Sequence, residues 1–351
     1  MKSMKIGAIS LFTGCGGLDI GSHMAGIPVV GALEIDQDCV RTLQRNRIFK
    51  DTAIFNEDIT EFEIKKLKVL LNKRKFDKVI LMGGPPCQPF SKAGYWVGHN
   101  RRLGVKDPRN LISNYFDVVK ELMPDGFLLE NVESLLHPKH KIMIDYIVKH
   151  MKRMRYDYRI IHANALDFGV PQKRKRIFIF GSKRKFLFDE PKKTHCPPKM
   201  VNGNGLKPYE SVYRFIKKFD SDKYFEKYEV TDKGTYGNEL KRVPPGKNYI
   251  ALSERGECSR PIFEAGKRFW SFLLKLHPEM PSWTIAAQPG PWVGPFHWTS
   301  RRLRVPEIAA LQTFPEDFEF YGSRRSIQRQ IGNAVPPKLA KAMIEFLREN
   351  I

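Results

Sequence analysis

Short apolar runs alternate with longer segments of mixed polarity through the first half of the chain. The apolar runs cover residues 5–12, 29–35, 77–84, 125–132 and 175–181. Between them, segments 61–73 and 109–123 place apolar residues near helical spacing. Nearly continuous apolar strands that alternate with helices indicate a mostly parallel sheet covered on both faces. We therefore predict an α/β fold with a doubly wound, mostly parallel sheet.

The pattern changes after Gly181. Residues 182–300 are rich in Pro, Gly, Lys and aromatic residues and show no sustained periodicity, which predicts a second, smaller, loop-rich domain with short strands. Near the end, "PPKLAKAMIEFLREN" predicts a helix that begins at a proline and carries one apolar stripe. Such a stripe would cover the sheet again. We predict one domain from 1–183 plus 327–351, and a second from 184–326.

Composition narrows the class of protein. The 351 residues are 42% hydrophobic, which is ordinary for a globular protein, but the formal charge is +22. This charge predicts a polyanionic partner, with nucleic acid ahead of an anionic membrane surface. No run approaches 18 apolar residues, and glycines interrupt the N-terminal run too early for a signal peptide. The five scattered cysteines include no CxxC pair, so we expect no metal, no disulfide framework and a reducing cytoplasm.

A glycine-rich segment, "FTGCGGLDIG" (12–21), follows the first strand and opens a helix. Such a turn lets the backbone approach a ligand closely, although Asp19 occupies the third glycine position of the dinucleotide fingerprint. The glycines alone fit a structural turn equally well. Glu34 ends the second strand, where it could bind ribose hydroxyls, and Asp58 could accept from an adenine amino group or cap a helix. The three strand ends together favour a nucleoside-bearing cofactor.

Cys87 lies in "GGPPCQPFS", at the carboxyl end of the fourth strand. A free cysteine is usually a small buried hydrophobe. Three prolines and two glycines around it instead favour a rigidly aimed nucleophile.

Two further groups lie near the predicted edge of the sheet. Glu130 ends the fifth strand, where it could cap or pair, or act as an acid towards a substrate ring. Gln172, Arg174 and Arg176 alternate on one strand face, which is either a solvated face or a site for phosphate or an anionic intermediate.

Seven segments, in order, resemble the prokaryotic type of the DNA (cytosine-5) methyltransferase family. They are "LFTGCGGLDIG", "PPCQPFS", "DPRN", "ENV", "QKRKR", "RRLRVPEIAALQTFPEDF" and "QIGNAVPP". The resemblance covers nearly the whole chain and implies the S-adenosylmethionine-dependent methyltransferase fold. Ser10 stands where the first motif commonly has aspartate, and Glu57 where a glycine commonly precedes the aspartate of the third.

The family resemblance implies a mechanism. Cys87 would add to cytosine C6, Glu130 would hold N3 and the amino group, and Arg174 and Arg176 would complete the catalytic set. The family's cofactor is S-adenosyl-L-methionine, and the resemblance implies the same cofactor here. The residues that match the family's cofactor site are Phe12, Gly14, Gly16, Gly17, Glu34, Ile35, Asp58, Ile59, Pro86, Ile112, Asn333, Ala334 and Val335.

The resemblance also implies a partner, double-stranded DNA, from which the cytosine is flipped into the site. Gln88, Ser91, Arg101 and Arg102 would contact DNA from a loop, and 184–326 would be the target-recognition domain. A monomer in the bacterial cytoplasm, associated with the nucleoid and accompanied by a cognate restriction endonuclease, is expected. A nicotinamide oxidoreductase would leave "PPCQPFS" and the charge unexplained, and a noncatalytic DNA-binding protein would be expected to lose Cys87, Glu130 or the glycine loop. An RNA cytosine methyltransferase of the same fold is the nearest alternative. The residues that read the bases stay unassigned.

Overall fold

The computed structural model describes residues 4–86, 111–201, 203, 205–256 and 258–351. Within these residues, seven strands form one sheet in the order β3-β2-β1-β4-β5-β8-β6. Its strands are β1 (Ile6–Leu11), β2 (Val29–Leu33), β3 (Ala53–Phe55), β4 (Lys78–Gly83), β5 (Gly126–Asn131), β6 (Asp157–Asn164) and β8 (Lys175–Ser182). Each of the five apolar runs contains or overlaps one of these strands.

The strands from β3 to β5 are parallel, and β8 runs antiparallel to both β5 and β6. The segment between β6 and β8 is too short for a helical crossover, so the chain turns back instead. The sequence pattern did not predict β6. Its position at the edge of the sheet leaves "DYRIIHAN" half-buried, so it lacks a continuous apolar run.

Helices cover both faces of the sheet. On one face, α1 (Gly17–Met24) and α10 (Pro337–Glu349) pack together over Ile80, Leu128 and Phe180. The opposite face is covered by α3 (Lys65–Arg74), α4 (Ile112–Leu122) and α5 (Lys141–Arg153), and α2 (Gln37–Arg45) follows β2. The C-terminal helix therefore helps to cover one face of the sheet, as its apolar stripe predicts.

The rest of the described chain is loop-rich with short elements. They are β7 (Gln172–Lys173), β9 (His195–Cys196), β10 (Lys207–Pro208), β11 (Ser282–Trp283), α6 (Val212–Ile216), α7 (Gly237–Arg242), α8 (Val305–Leu311) and α9 (Arg324–Asn333). One small core joins Leu240, Tyr249, Phe272 and Phe296, among others. Another apolar cluster joins Ile308 and Ile331 to Leu43 and Phe49, so α8 and α9 pack against α2 and the helical turn that follows it.

The strand register brings the predicted site residues to one edge. Leu33, Leu11, Gly83 and Leu129 stand side by side near the carboxyl ends of four parallel strands. Open α/β sheets bind ligands at this edge. Among the described residues, no helix is long and apolar enough to cross a bilayer.

Candidate active site

The glycine loop is built on backbone that side chains rarely tolerate. Phe12, Gly14 and Gly16 all have positive φ, at 54°, 57° and 85°. The backbone N–H of Gly14 donates to Glu34 Oε2 at 2.6 Å, and that of Asp36 donates to Glu34 Oε1 at 2.8 Å. Glu34 is buried, and burial raises the pKa of its carboxyl while the two backbone donors oppose the rise. The loop and the end of β2 therefore form one rigid unit.

The predicted cofactor residues from the last motif lie against this unit. A Cβ on Gly17 would approach Val335 O to 2.3 Å, so α1 and the 333–335 segment touch through backbone. Ala334 is half-buried, Val335 is buried and Asn333 is exposed. Asn333 is therefore the member of this segment that reaches solvent.

The ends of β2 and β3 carry the remaining cofactor candidates. Ile35 is 63% exposed, an unusual position for an isoleucine beside a buried carboxylate. Asp58 Oδ1 accepts from the N–H and the hydroxyl of Thr60, so Asp58 holds a local turn rather than the first turn of α3, and Ile59 packs at the edge of the sheet's core. Ile112 is fully buried in the same core, in the first turn of α4.

The approach to Cys87 is fixed beside Glu130. A Cβ on Gly84 would approach Glu130 Oε2 to 2.9 Å, so only glycine leaves this carboxyl its space. The side chain of Asn131 donates to Pro85 O at 3.2 Å. Pro86 is exposed at the end of this described segment. The predicted residues Cys87, Gln88, Ser91, Arg101 and Arg102 lie outside the described residues.

Glu130 and Arg176 form the charged pair of the site. Arg176 Nε lies 2.9 Å from Glu130 Oε1, because the start of antiparallel β8 faces the end of β5. Burial raises the pKa of the Glu130 carboxyl, and the charges of Arg176 and Arg174 oppose that rise. The result is a carboxyl group that is held in one orientation yet retains a proton more readily than usual.

The alternating residues of "QKRKR" have different surroundings. Arg174 is fully buried, and its Nη2 donates to Gly332 O at 2.9 Å and to Ala334 O at 3.0 Å. Gln172 Nε2 donates to Gln312 Oε1 at 2.6 Å, and Gln172 Oε1 accepts from the N–H of Ile285. The solvated-face alternative is thus wrong for Gln172 and Arg174. Both hold neighbouring segments together, whereas Arg176 reaches the carboxyl.

The sequence reasoning missed a buried polar group beneath the glycine loop. Asp19 is fully buried, its Oδ2 accepts from the hydroxyl of Ser10 at 3.1 Å, and Thr13 donates to the same hydroxyl at 3.1 Å. Burial raises the pKa of Asp19 to about 7. Ser10, the departure from the family's first motif, avoids placing a second carboxylate here. An aspartate within an otherwise small and apolar segment, "GLDIG", was the available signal.

One group has metal-ligand chemistry in the described chain. Ligand atoms of Asp220, His297 and Glu307 lie within 4.8 Å of one another. Arg301 pairs with both carboxylates, at 2.8 Å and 2.7 Å. Its guanidinium offsets the charge that would attract a cation, so the group is an ion-pair network.

Comparison with known proteins identifies the family. The model of the family described as C-5 cytosine-specific DNA methylase matches residues 6–349. The type II methyltransferase M.SacI of Streptomyces achromogenes is 35% identical, over 99% of this chain and 94% of its own length. The type II methyltransferase M1.HphI of Haemophilus parahaemolyticus is 33% identical, over 97% and 86%.

The fold has a solved counterpart. A prophage-encoded chain from E. coli superposes with a TM-score of 0.69 at 24% identity, covering 99% of both chains. The predicted fold and family are confirmed. The chain belongs to the C-5 cytosine-specific DNA methylase family and is a DNA (cytosine-5) methyltransferase.

Proposed function

We propose that this enzyme transfers a methyl group from S-adenosyl-L-methionine to C5 of a flipped cytosine in duplex DNA, through a covalent bond from Cys87 to C6. The observation that carries the proposal is the Glu130–Arg176 pair, which lies against Gly84 on the segment that leads directly to Cys87. A nucleophile and a proton-holding carboxyl thus follow neighbouring strands at the edge where the glycine loop also lies.

The residues of the loop fit the cofactor. A nucleoside needs a carboxylate for its ribose, an apolar surface for its base and close backbone for the rest of the molecule. Glu34, exposed Ile35 and the loop around Gly14 and Gly16 offer these three features side by side. Asp58, Ile59, Pro86, Asn333 and the other predicted residues would complete the site. When bound, the cofactor supplies an electrophilic methyl group on a sulfonium.

The chain's own residues perform the other steps. The Cys87 thiolate adds to C6, which moves electron density to C5. Glu130 donates a hydrogen bond or proton to N3 and accepts from the amino group, which stabilises the negative charge that develops on the ring. C5 would then take the methyl group from the sulfonium, whose sulfur would keep the bonding electron pair and be left as a neutral thioether. Loss of the C5 proton to a base and return of the N3 proton to Glu130 expel the Cys87 thiolate and restore the aromatic ring, so every bond formed to the enzyme is broken again.

In this scheme Arg176 contacts the reacting groups, whereas Arg174 acts through the segments that it holds together. Arg176 fixes the carboxyl of Glu130 and positions the base. Arg174 is a positioning residue, because its bonds to Gly332 O and Ala334 O tie β8 to the cofactor segment.

Duplex DNA is the proposed substrate because the charge of +22 suits a polyanion. Cytosine C6 is inaccessible within a stacked helix, so the base must be flipped out before Cys87 can reach it. Phosphate contacts from the cations should make binding fall steeply with salt. Gln88, Ser91, Arg101 and Arg102 are proposed DNA contacts, and 184–326 is the proposed target-recognition domain. The relatives' designation as type II methyltransferases supports a role as the modification half of a restriction-modification system, with a cognate endonuclease as genetic partner. We propose a monomer as the acting form.

Trapping tests the chemistry. With 5-fluorocytosine at the methylated position, the C5 proton is replaced by fluorine and elimination is blocked. We expect a denaturation-resistant protein–DNA adduct that requires S-adenosylmethionine and is absent from Cys87→Ala. Sequencing the methylated cytosines in DNA from cells that express the protein identifies the cytosine to replace.

Two results would contradict the proposal. Methyl transfer by Cys87→Ala at the wild-type rate would remove the nucleophile. Transfer of a tritiated methyl group to tRNA but not to duplex DNA would assign the enzyme to RNA.

A further inference from the structure

A pair of exposed tryptophans lies beside β7, the short strand that directly precedes β8. Trp270 is 47% exposed and Trp283 is 37% exposed, with ring centroids 4.3 Å apart and planes at 68°. Indole surface of this size is usually buried or used in binding. The two rings contact each other at a steep angle, and the exposed part of each indole offers an aromatic face on which a flat molecule could stack. We call this pair the corner.

Both rings sit on fixed backbone. Trp283 belongs to β11, which pairs with Gln172–Lys173, and the neighbouring Ser282 N–H donates to Pro171 O at 2.8 Å. The side chain of Asn248 donates to Trp270 O at 2.7 Å. The corner is therefore held before any ligand arrives, which reduces the entropy lost on binding.

A cation lies at the corner. Lys173 Nζ lies 4.2 Å from the centre of the Trp283 ring. Within the described residues, Lys173 forms no ion pair with a carboxylate. Aromatic faces combined with uncompensated positive charge are how proteins bind unpaired bases and their phosphates.

The corner lies close to the candidate active site along the chain. Lys173 pairs with Trp283 and precedes Arg176 by three residues, so the Cα atoms of Lys173 and Arg176 lie within about 11 Å of each other. Arg176 contacts Glu130. Extraction of a cytosine leaves its partner base unpaired near this edge.

We propose that Trp270, Trp283 and Lys173 form a stacking corner for a base of the DNA substrate that has lost its pairing partner. The inference rests on the proposed base-flipping function. It adds a stabiliser of the opened duplex that is distinct from the pocket holding the cytosine.

A binding comparison tests the corner without knowledge of the recognition sequence. The probes are a fluorescein-labelled duplex and the same duplex with one abasic site, which leaves the opposite base unpaired. Stacking on the corner should make the wild type bind the abasic duplex more tightly, by about 5- to 150-fold. Trp270→Ala and Trp283→Ala should lose this preference, and Trp270→Phe should keep most of it.

Phe188→Ala is the matched control. Phe188 is 51% exposed, and its N–H is bonded to Asn350, at the opposite edge of the sheet from Glu130. This variant should keep the preference. Absence of the preference in the wild type, or its persistence in both tryptophan-to-alanine variants, overturns the inference. Methyl transfer to genomic DNA by the wild type is measured alongside, so failure of the corner is distinguishable from failure of the proposed function.

Discussion

Asp19 gives a quantitative prediction about stability and pH. Burial raises the pKa of its carboxyl from the usual 3.8 to about 7, with Ser10 donating to Oδ2 and lowering it. The folded protein therefore holds a proton that the unfolded chain releases above about pH 4. The stability that this proton contributes is full below the unfolded pKa and is lost as pH rises to about 7. At 1.36 kcal/mol per pKa unit, the loss is about 4 kcal/mol.

Asp19→Asn isolates this contribution, because asparagine has the same shape and no proton to lose. Urea unfolding of both proteins is measured from pH 4.5 to 8. The free energy of unfolding of Asp19→Asn, minus that of the wild type, should increase by about 3 to 4 kcal/mol across this range, since groups common to both proteins cancel.

The control is Asp51→Asn, which removes an exposed carboxylate. Its free energy of unfolding, minus that of the wild type, should change by under about 1 kcal/mol over the same pH range. A pH-independent difference between Asp19→Asn and the wild type would refute the reasoning. It would mean that Asp19 titrates in the folded protein as it does in the unfolded chain, so that its hydrogen bonds offset the effect of burial.

Two further predictions concern a backbone contact and a buried ion pair. Gly17→Ala would put a methyl carbon 2.3 Å from Val335 O, so α1 or the 333–335 segment must shift, which should cost about 1–3 kcal/mol and weaken binding of S-adenosylmethionine in calorimetry. Gly290→Ala, where the nearest atom is 3.3 Å away, is its control, and equal effects of the two would contradict the backbone contact. Arg304→Met would leave buried Glu229 without its ion-pair partner and should cost about 3–5 kcal/mol in urea unfolding. Lys68→Met, which breaks an exposed pair with Glu121, should cost under about 1 kcal/mol, and a similar loss in both variants would argue against burial as the cause.

The sequence was most informative where one local cause dominates. Runs such as "VILMG" in β4 are apolar on both faces because helices cover the sheet, and this burial can be inferred without any long-range information. β6 was not predicted because polar and charged residues interrupt its apolar ones, as is common for a strand at the edge of a sheet. Glu34 and Glu130 were found because a polar residue that ends a buried strand stands out.

The roles of other residues depended on contacts that sequence spacing does not encode. Arg174 and Arg176 are alternate residues of one segment, yet Arg174 is bonded to Gly332 in the last turn of α9 and Arg176 to Glu130. The difference arises because the extended segment changes partners at Arg174: β7 pairs with β11 before it, and β8 pairs with β5 after it. Similarly, Trp270 and Trp283 are 13 residues apart in a region without periodicity, so only the folded loops bring their rings together.

The Glu130–Arg176 pair shows why an arginine beside a proton donor is no contradiction. An exposed carboxylate next to a guanidinium has a lowered pKa, because the ion pair favours the charged form. Here burial has the larger effect, so the pKa is raised despite two arginines. Arg176 bonds to Oε1 and fixes the group, while Oε2 faces Gly84 on the segment leading to Cys87. Oε2 is therefore the oxygen that can donate to N3, while Oε1, held by Arg176, has a second lone pair that can accept from the amino group. Because the proton lost with rising pH is the one N3 requires, the same burial that makes Glu130 a donor should also set the alkaline limit of methyl transfer.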